Sequence, residues 1–287
     1  MVKTNLKDNE LLFVPLGGTE EIGMNFNLYG YGTSKKHDWI IIDLGITFGD
    51  DTTPGIDVIL PDPAFILERR DRLSGIILTH GHEDHLGAVP YLWDKLRCPV
   101  YATPFTAALL RSKLEFTESA KNMEIIEVPL AGKFDVGVFS IELMTLTHSM
   151  PEPNACIVRT PLGTIFHTGD WKFDPDPVVG SACDFNMLKS LGDEGILAAI
   201  GDSTNVFVEG ISGSEASILD NLSEIIGECN GQVAVACFAS NVARLKTIYD
   251  AASANGRSVC LVGRSLWRIN AAARQTGYLR DLPTFIE

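Results

Sequence analysis

Three imidazoles and the carboxylate of Asp84 fall within six positions in His80-Gly81-His82-Glu83-Asp84-His85, a run that holds half of the chain's six histidines. Neutral imidazole and carboxylate together are the donor set of a divalent cation; they suit Zn²⁺ and also accept Mn²⁺ or Fe²⁺. Zinc is the expected ion, with Mn²⁺ as the alternative. The run follows Ser74-Gly75-Ile76-Ile77-Leu78, which reads as a buried strand, and precedes Leu86 to Trp93, which reads as a short helix. The donors therefore occupy a strand-to-helix loop, where alternate side chains can aim at two neighbouring points. His80 and His82 would meet one ion, Asp84 and His85 a second.

Two distant segments share the strand-then-donor pattern. The alternating stretch Ile141 to Thr147 delivers His148 at its end, and Thr164 to Thr168 delivers Asp170 beside Gly169. In a chain that already holds a His-rich loop, these become the third and the bridging ligand. His167 competes with Asp170 but lies three residues earlier, still in the strand, where packing or support of a ligand is the expected role. Asp43 ends the strand Trp39-Ile40-Ile41-Ile42. A carboxylate buried there needs a partner, and metal-bound imidazoles commonly give their other N–H to such a group. Asp43 is thus expected to orient a ligand histidine. Leu16-Gly17-Gly18-Thr19-Glu20-Glu21-Ile22-Gly23 superficially suggests a phosphate loop, but it lacks the G-x-G-x-x-G spacing and is followed by a strand pattern. A tight hairpin beside the site is expected instead.

The elements that must hold these residues are mostly strands. Short runs rich in branched residues recur at Leu11 to Leu16, Phe26 to Tyr29, Trp39 to Asp43, Ile125 to Val128, Val138 to Thr147, Cys156 to Arg159 and Gly163 to His167. Helical patterns cover Pro63 to Arg70, Leu86 to Leu96, Pro104 to Lys113 and Ser214 to Cys229. Up to about Asn205 this predicts sheets packed on each other with helices outside. After Gly210 the texture changes to a helix, a strand at Gln232 to Phe238, a helix from Asn241 to Ala254 and a strand at Ser258 to Val262, the pattern of a second, α/β unit. Only two or three such elements accumulate before Glu287, so a C-terminal truncation is expected.

The 287 residues are 45% hydrophobic and 21% charged, which is ordinary for a folded globular protein and excludes wholesale disorder. No run approaches the ~20 apolar residues of a membrane helix, and Met1 to Glu10 lacks the apolar core of a signal peptide, so a cytoplasmic protein without membrane partners is expected. The six cysteines are scattered without a C-x-x-C pair and read as buried reduced thiols. A net charge of −14 argues against nucleic-acid binding through a broadly basic surface. It leaves room for a nuclease, because bound cations supply positive charge that a residue count omits.

The motif His80-Gly81-His82-Glu83-Asp84-His85 with His148 and Asp170 resembles that of the metallo-β-lactamase fold. More narrowly, the chain resembles the ribonuclease J family of the β-CASP group. That likeness rests on Leu16-Gly17-Gly18, Glu21 to Asn25, Gly55-Ile56-Asp57, Pro61-Asp62, Leu78 to His85, His167 to Asp174, Asp202-Ser203-Thr204-Asn205 and Phe238 to Asn241. It implies an α+β fold: an αββα sandwich over residues 1–208, then the beginning of an α/β β-CASP domain over 209–287. His80, His82 and His148 would hold one zinc, Asp84 and His85 the other, and Asp170 would bridge them. Asp202, the first acidic motif of the β-CASP group, would lie near the metals. The implied activity is hydrolysis of RNA phosphodiesters by a hydroxide bridging two metals, with Asp84 or Asp170 orienting the water. Single-stranded RNA as substrate, 5′-exonuclease and endonuclease action, RNA decay and rRNA processing, and homo-oligomers of the full-length protein follow from the same likeness. The family places a further ligand of the second metal, and residues that grip RNA, beyond Glu287, and Glu20 stands where glycine is usual. Rival readings are a small-molecule hydrolase of the same fold, a DNA-directed β-CASP nuclease, and a non-catalytic RNA-binding fragment.

Overall fold

The computed structural model describes residues 8–115, 117 and 121–286. Strands β1 (Asn9–Gly17), β2 (Phe26–Thr33) and β3 (Lys36–Leu44) form an antiparallel meander. A two-residue pair, β4 (Thr47–Phe48) and β5 (Val58–Ile59), and one helical turn, α1 (Ala64–Leu67), lead to β6 (Leu73–Ile77). Next come α2 (Glu83–Leu86), α3 (Val89–Leu96), β7 (Val100–Ala102), α4 (Pro104–Leu114) and β8 (Ile125–Glu127). The first sheet has the order β1-β2-β3-β6-β7-β8, parallel from β3 onward. The second is built from β9 (Lys133–Val136), β10 (Phe139–Thr145), β11 (Asn154–Thr160) and β12 (Gly163–His167), which α5 (Phe185–Glu194) connects to β13 (Ala198–Ile200). Its order is β13-β12-β11-β10-β9, with β13 parallel to β12.

Side-chain parity explains the layering. In β3, Trp39 and Ile41 pack outward with α3 residues Val89, Leu92 and Trp93, while Ile40 and Ile42 face inward against Phe139, Ile141, Leu143 and Val158 of the second sheet. A strand buried on both faces reads as a continuous apolar run, which is what Trp39 to Ile42 is. On the far side of the second sheet, Met144, Ala155 and Ile157 meet Met187, Leu188 and Leu191 of α5. The result is the expected α+β sandwich of helices outside two sheets.

Beyond it, a 3₁₀ turn at Glu215–Ile218 leads into α6 (Leu219–Glu228), followed by α7 (Val242–Ala254) and α8 (Arg264–Thr276). Val242, Leu245, Ile269, Ala272 and Ala273 of α7 and α8 share one cluster with Phe105, Ala108 and Leu109 of α4 and with Met150. Several expectations need correction. Gln232 to Phe238 pairs with no strand among the described residues, and of Ser258 to Val262 only Cys260 makes a bridge, to Ile286. A strand exists only through a neighbour's hydrogen bonds, and no strand of the sandwich lies alongside either segment. The helix expected over Pro63 to Arg70 is the single turn α1, and Leu86 to Leu96 is split into α2 and α3 around Gly87. Cys98, Cys156 and Cys183 are buried, but Cys229 and Cys237 are half-buried and Cys260 is exposed. No helix among the described residues is long and apolar enough to cross a membrane.

Candidate metal centre

The donors lie at one end of the sandwich because parallel β3 and β6 finish together, Ile42 opposite Ile77, and the loops after β6, β10 and β12 leave from that same end. His80, His82, His148 and Asp170 offer ligand atoms within 4.8 Å of one another, as do Asp84, His85 and Asp170. All six expected ligands are thus brought together in the two expected groups, and Asp170 is common to both.

The first group has the spacing of a metal shell. His80 Nε2 and His82 Nδ1 are 3.0 Å apart, His82 Nδ1 and His148 Nε2 3.2 Å, and His148 Nε2 and Asp170 Oδ2 3.6 Å. The edge of a tetrahedron around zinc with bonds of ~2.0 Å is ~3.3 Å. Burial pushes the pKa of His80 well down, that of His82 to about 4, and that of His148 below its ordinary value. Three neutral imidazoles therefore turn lone pairs toward one point. The far nitrogens of two of them are occupied: His80 Nδ1 lies 3.0 Å from Thr79 Oγ1, and His82 Nε2 lies 3.3 Å from Ser149 Oγ. The donor set fits a divalent cation.

In the second group, His85 Nε2 lies 3.1 Å from Asp170 Oδ1, 3.5 Å from Asp84 Oδ2 and 3.2 Å from Asn25 Nδ2. Burial opposes charge on His85, but Asp43, Asp170 and Asp84 outweigh it and hold its pKa well above the ordinary value. Burial likewise opposes ionisation of Asp170, yet the hydrogen bond and charge of His85, with His148 and His82, lower its pKa to about 2. Asp84 is lowered in the same way, with His85 overcoming burial.

Asp43 is where the sequence placed it, with Oδ2 2.7 Å from His85 Nδ1. Asp202 lines the same groove as Asp84, His85 and Asp170, and its charge acts on His148, while its carboxylate accepts the N–H of Thr204. His167 supports no ligand either; its Nδ1 bonds the Tyr29 hydroxyl at 2.8 Å. Sequence reasoning missed Thr79, Asn25, Ser149 and Tyr29, whose roles depend on which way a side chain points; adjacency to the motif was the one signal, for Thr79 and Ser149. The β1–β2 connection is a hairpin, though not a tight one: residues 18–25 loop out, and 18–23 with Asn25 line a groove of ≈ 680 Å³ with Asp84, His85 and Asp170. Glu20 adopts φ 62° in that loop, a left-handed conformation that glycine takes without strain, which is a physical reason for the glycine usual at this position.

The described residues match known proteins along their length. Residues 39–188 match the β-lactamase superfamily domain, and residues 230–287 match the β-CASP domain of ribonuclease J. Ribonuclease J of Sinorhizobium meliloti is 45% identical over 98% of this chain and 50% of that protein. Ribonuclease J 1 of Streptococcus pyogenes is 36% identical over 100% of this chain and 50% of its own length. The chain thus spans about half the length of these curated relatives. A crystal structure of an Enterococcus faecalis protein of unknown function shares the fold, with a TM-score of 0.64 and 18% identity over 97% of this chain and 69% of that one. Its sandwich, its ligand loops and these similarities place the chain in the metallo-β-lactamase superfamily, as a relative of ribonuclease J that carries both the β-lactamase-type domain and β-CASP sequence.

Proposed function

We propose that this chain carries the metal centre of a ribonuclease that hydrolyses RNA phosphodiesters with two divalent ions, zinc or alternatively manganese. The observation that carries the reading is the sharing of Asp170 between a three-histidine group and an Asp84–His85 group. Held there, divalent ions would supply Lewis acidity, making water a nucleophile near neutral pH and offsetting charge on the phosphodiester. The chain's own residues do the rest. His80, His82 and His148 are kept neutral by burial and present lone pairs, and Thr79 and Ser149 keep the first two rings from turning. Asp170 and Asp84 are ionised at neutral pH, so either can accept a hydrogen bond from the attacking water and fix its direction. The groove beside them is open along residues 18–23 and 199–204, room for an extended single strand. The names of the curated relatives favour RNA over DNA, and the β-CASP match over residues 230–287 favours a nuclease over a small-molecule hydrolase. By the same likeness we assign 5′-exonuclease and endonuclease action.

The test is metal analysis with a cleavage assay. Loaded with Zn²⁺ or Mn²⁺, the protein should bind two ions and cleave single-stranded RNA in preference to DNA of the same sequence. His80→Ala with His82→Ala should remove one ion and the activity together. Undiminished cleavage by that double variant would overturn the proposal.

A further inference from the structure

The groove beside Asp170 also receives His167, an imidazole outside both ligand groups. Along β12, Ile165 packs between the sheets and Phe166 against α5, so parity puts His167 on the inner face at the strand's last position. Its Nδ1 lies 2.8 Å from the hydroxyl of Tyr29. Tyr29 is fully buried, and that ring nitrogen is its hydroxyl's single hydrogen-bond partner among the described residues. A buried phenol that only accepted would strand its own O–H, so the hydroxyl donates and Nδ1 accepts. Burial lowers the His167 pKa to about 4, so the ring is neutral and its one proton is on Nε2.

That second nitrogen bonds no protein group among the described residues. It is not sealed away either: the buried side-chain atoms lacking a partner are Arg72 Nε and Asn154 Oδ1. The groove that His167, itself 5% exposed, helps to line also holds Glu20, Glu21, Asp84, Asp170 and Asp202 and no lysine or arginine among the described residues. An anionic oxygen entering so acidic a groove depends, apart from metal ions, on neutral donors.

Resting on the ribonuclease reading, we propose that His167 is a substrate-contacting residue whose Nε2–H donates to a non-bridging oxygen of the RNA backbone, with Tyr29 as the positioning residue that fixes its tautomer. Neither residue holds metal. The contact is a neutral donor on an anionic acceptor, a class worth roughly 10-fold or more in affinity.

The experiment has two arms. Histidine ¹⁵N spectra of the metal-loaded protein should show His167 with an unprotonated Nδ1 and a protonated Nε2, and Tyr29→Phe should abolish that preference; a proton on Nδ1 overturns the proposal. Binding of a cleavage-resistant phosphorothioate single-stranded RNA should weaken ~10-fold in His167→Phe and stay within ~3-fold of wild type in His167→Gln, which keeps an N–H donor, with metal content equal in all three. Equal affinity in wild type and His167→Phe sinks the contact and leaves the ribonuclease reading standing. Failure of the wild-type protein to bind the RNA sinks both.

Discussion

Asp43 and His85 meet at the closed end of the metal centre, where Asp43 Oδ2 accepts the Nδ1–H of His85 at 2.7 Å with both side chains buried. The same carboxylate accepts the backbone N–H and the hydroxyl of Thr79, each at 2.8 Å. Thr79 in turn presents its oxygen to His80 Nδ1. One carboxylate thus sets the orientation of a histidine in each ligand group, directly for His85 and through Thr79 for His80. It does so from a left-handed backbone, φ 64°, which aspartate and asparagine tolerate better than most residues. Asp43→Asn should therefore fold but bind metal ~10- to 100-fold more weakly, as a metal titration would read. Asp43→Ala should in addition lose stability, because Thr79 and His85 keep buried donors without an acceptor.

Glu152 ties the sandwich to the helices that follow it. It is buried, with Oε2 accepting the N–H of Phe105 at 2.8 Å and Oε1 accepting the hydroxyl of Tyr278 at 2.9 Å. Burial, reinforced by the neighbouring Glu152 charge, pushes the pKa of Tyr278 up and keeps that hydroxyl a donor. Tyr278→Phe should cost about 1–2 kcal/mol in urea unfolding. Glu152 shares the β10–β11 loop with His148, so Glu152→Ala should lower both stability and metal affinity, whereas Tyr278→Phe should act mainly on stability.

Gly45 marks where two backbones approach too closely for a side chain. A Cβ there would lie 1.7 Å from the carbonyl oxygen of Asp84, which accepts the N–H of Asn25. Gly45→Ala must displace the ligand loop; a loss of about 3 kcal/mol with weakened metal binding is expected. Gly192, in α5, has open space around the same position. Gly192→Ala should be neutral or stabilise by up to about 1 kcal/mol, and the two melting curves should move in opposite directions.

Glu142 carries a pH-dependent share of stability. Burial would raise its pKa, but Lys133 at 2.8 Å and Arg159 at 2.6 Å outweigh it and hold the carboxyl below its ordinary value. A carboxyl depressed on folding stabilises the protein above its unfolded pKa, and the contribution disappears as pH falls through the folded one. Glu142→Gln should thus cost about 1 kcal/mol at pH 7, and the gap to wild type should close below the carboxylate range. A gap of unchanged size at acid pH would show that the ion pairs are not its cause.

Much of this molecule is legible in its sequence because the signals are local. A loop of three histidines and an aspartate after a strand announces a metal, and short apolar runs such as Trp39 to Ile42 announce the sheets. The short β7, β9 and β13 and helices α5 and α8 were missed: three or four residues carry no period, and the stripe of α8 is made partly of Ala272 and Ala273. The expected strand at Gln232 to Phe238 fails for a complementary reason, since its composition suits a strand but nothing in the described fold pairs with it. Residue types and spacing by themselves singled out the candidate donors, His80, His82, Asp84, His85, His148 and Asp170, and the likeness to a known family. The tertiary structure brings Asp170 to both groups, as expected, and it alone decided that Asp43 reaches His85, that the Asp202 carboxylate accepts from Thr204, and that Tyr29 meets His167 across 138 positions of chain. Candidate ligands are legible in residue type and spacing. Which lone pair faces which proton is a property of packing, set by strand parity and the closing of two sheets on one another.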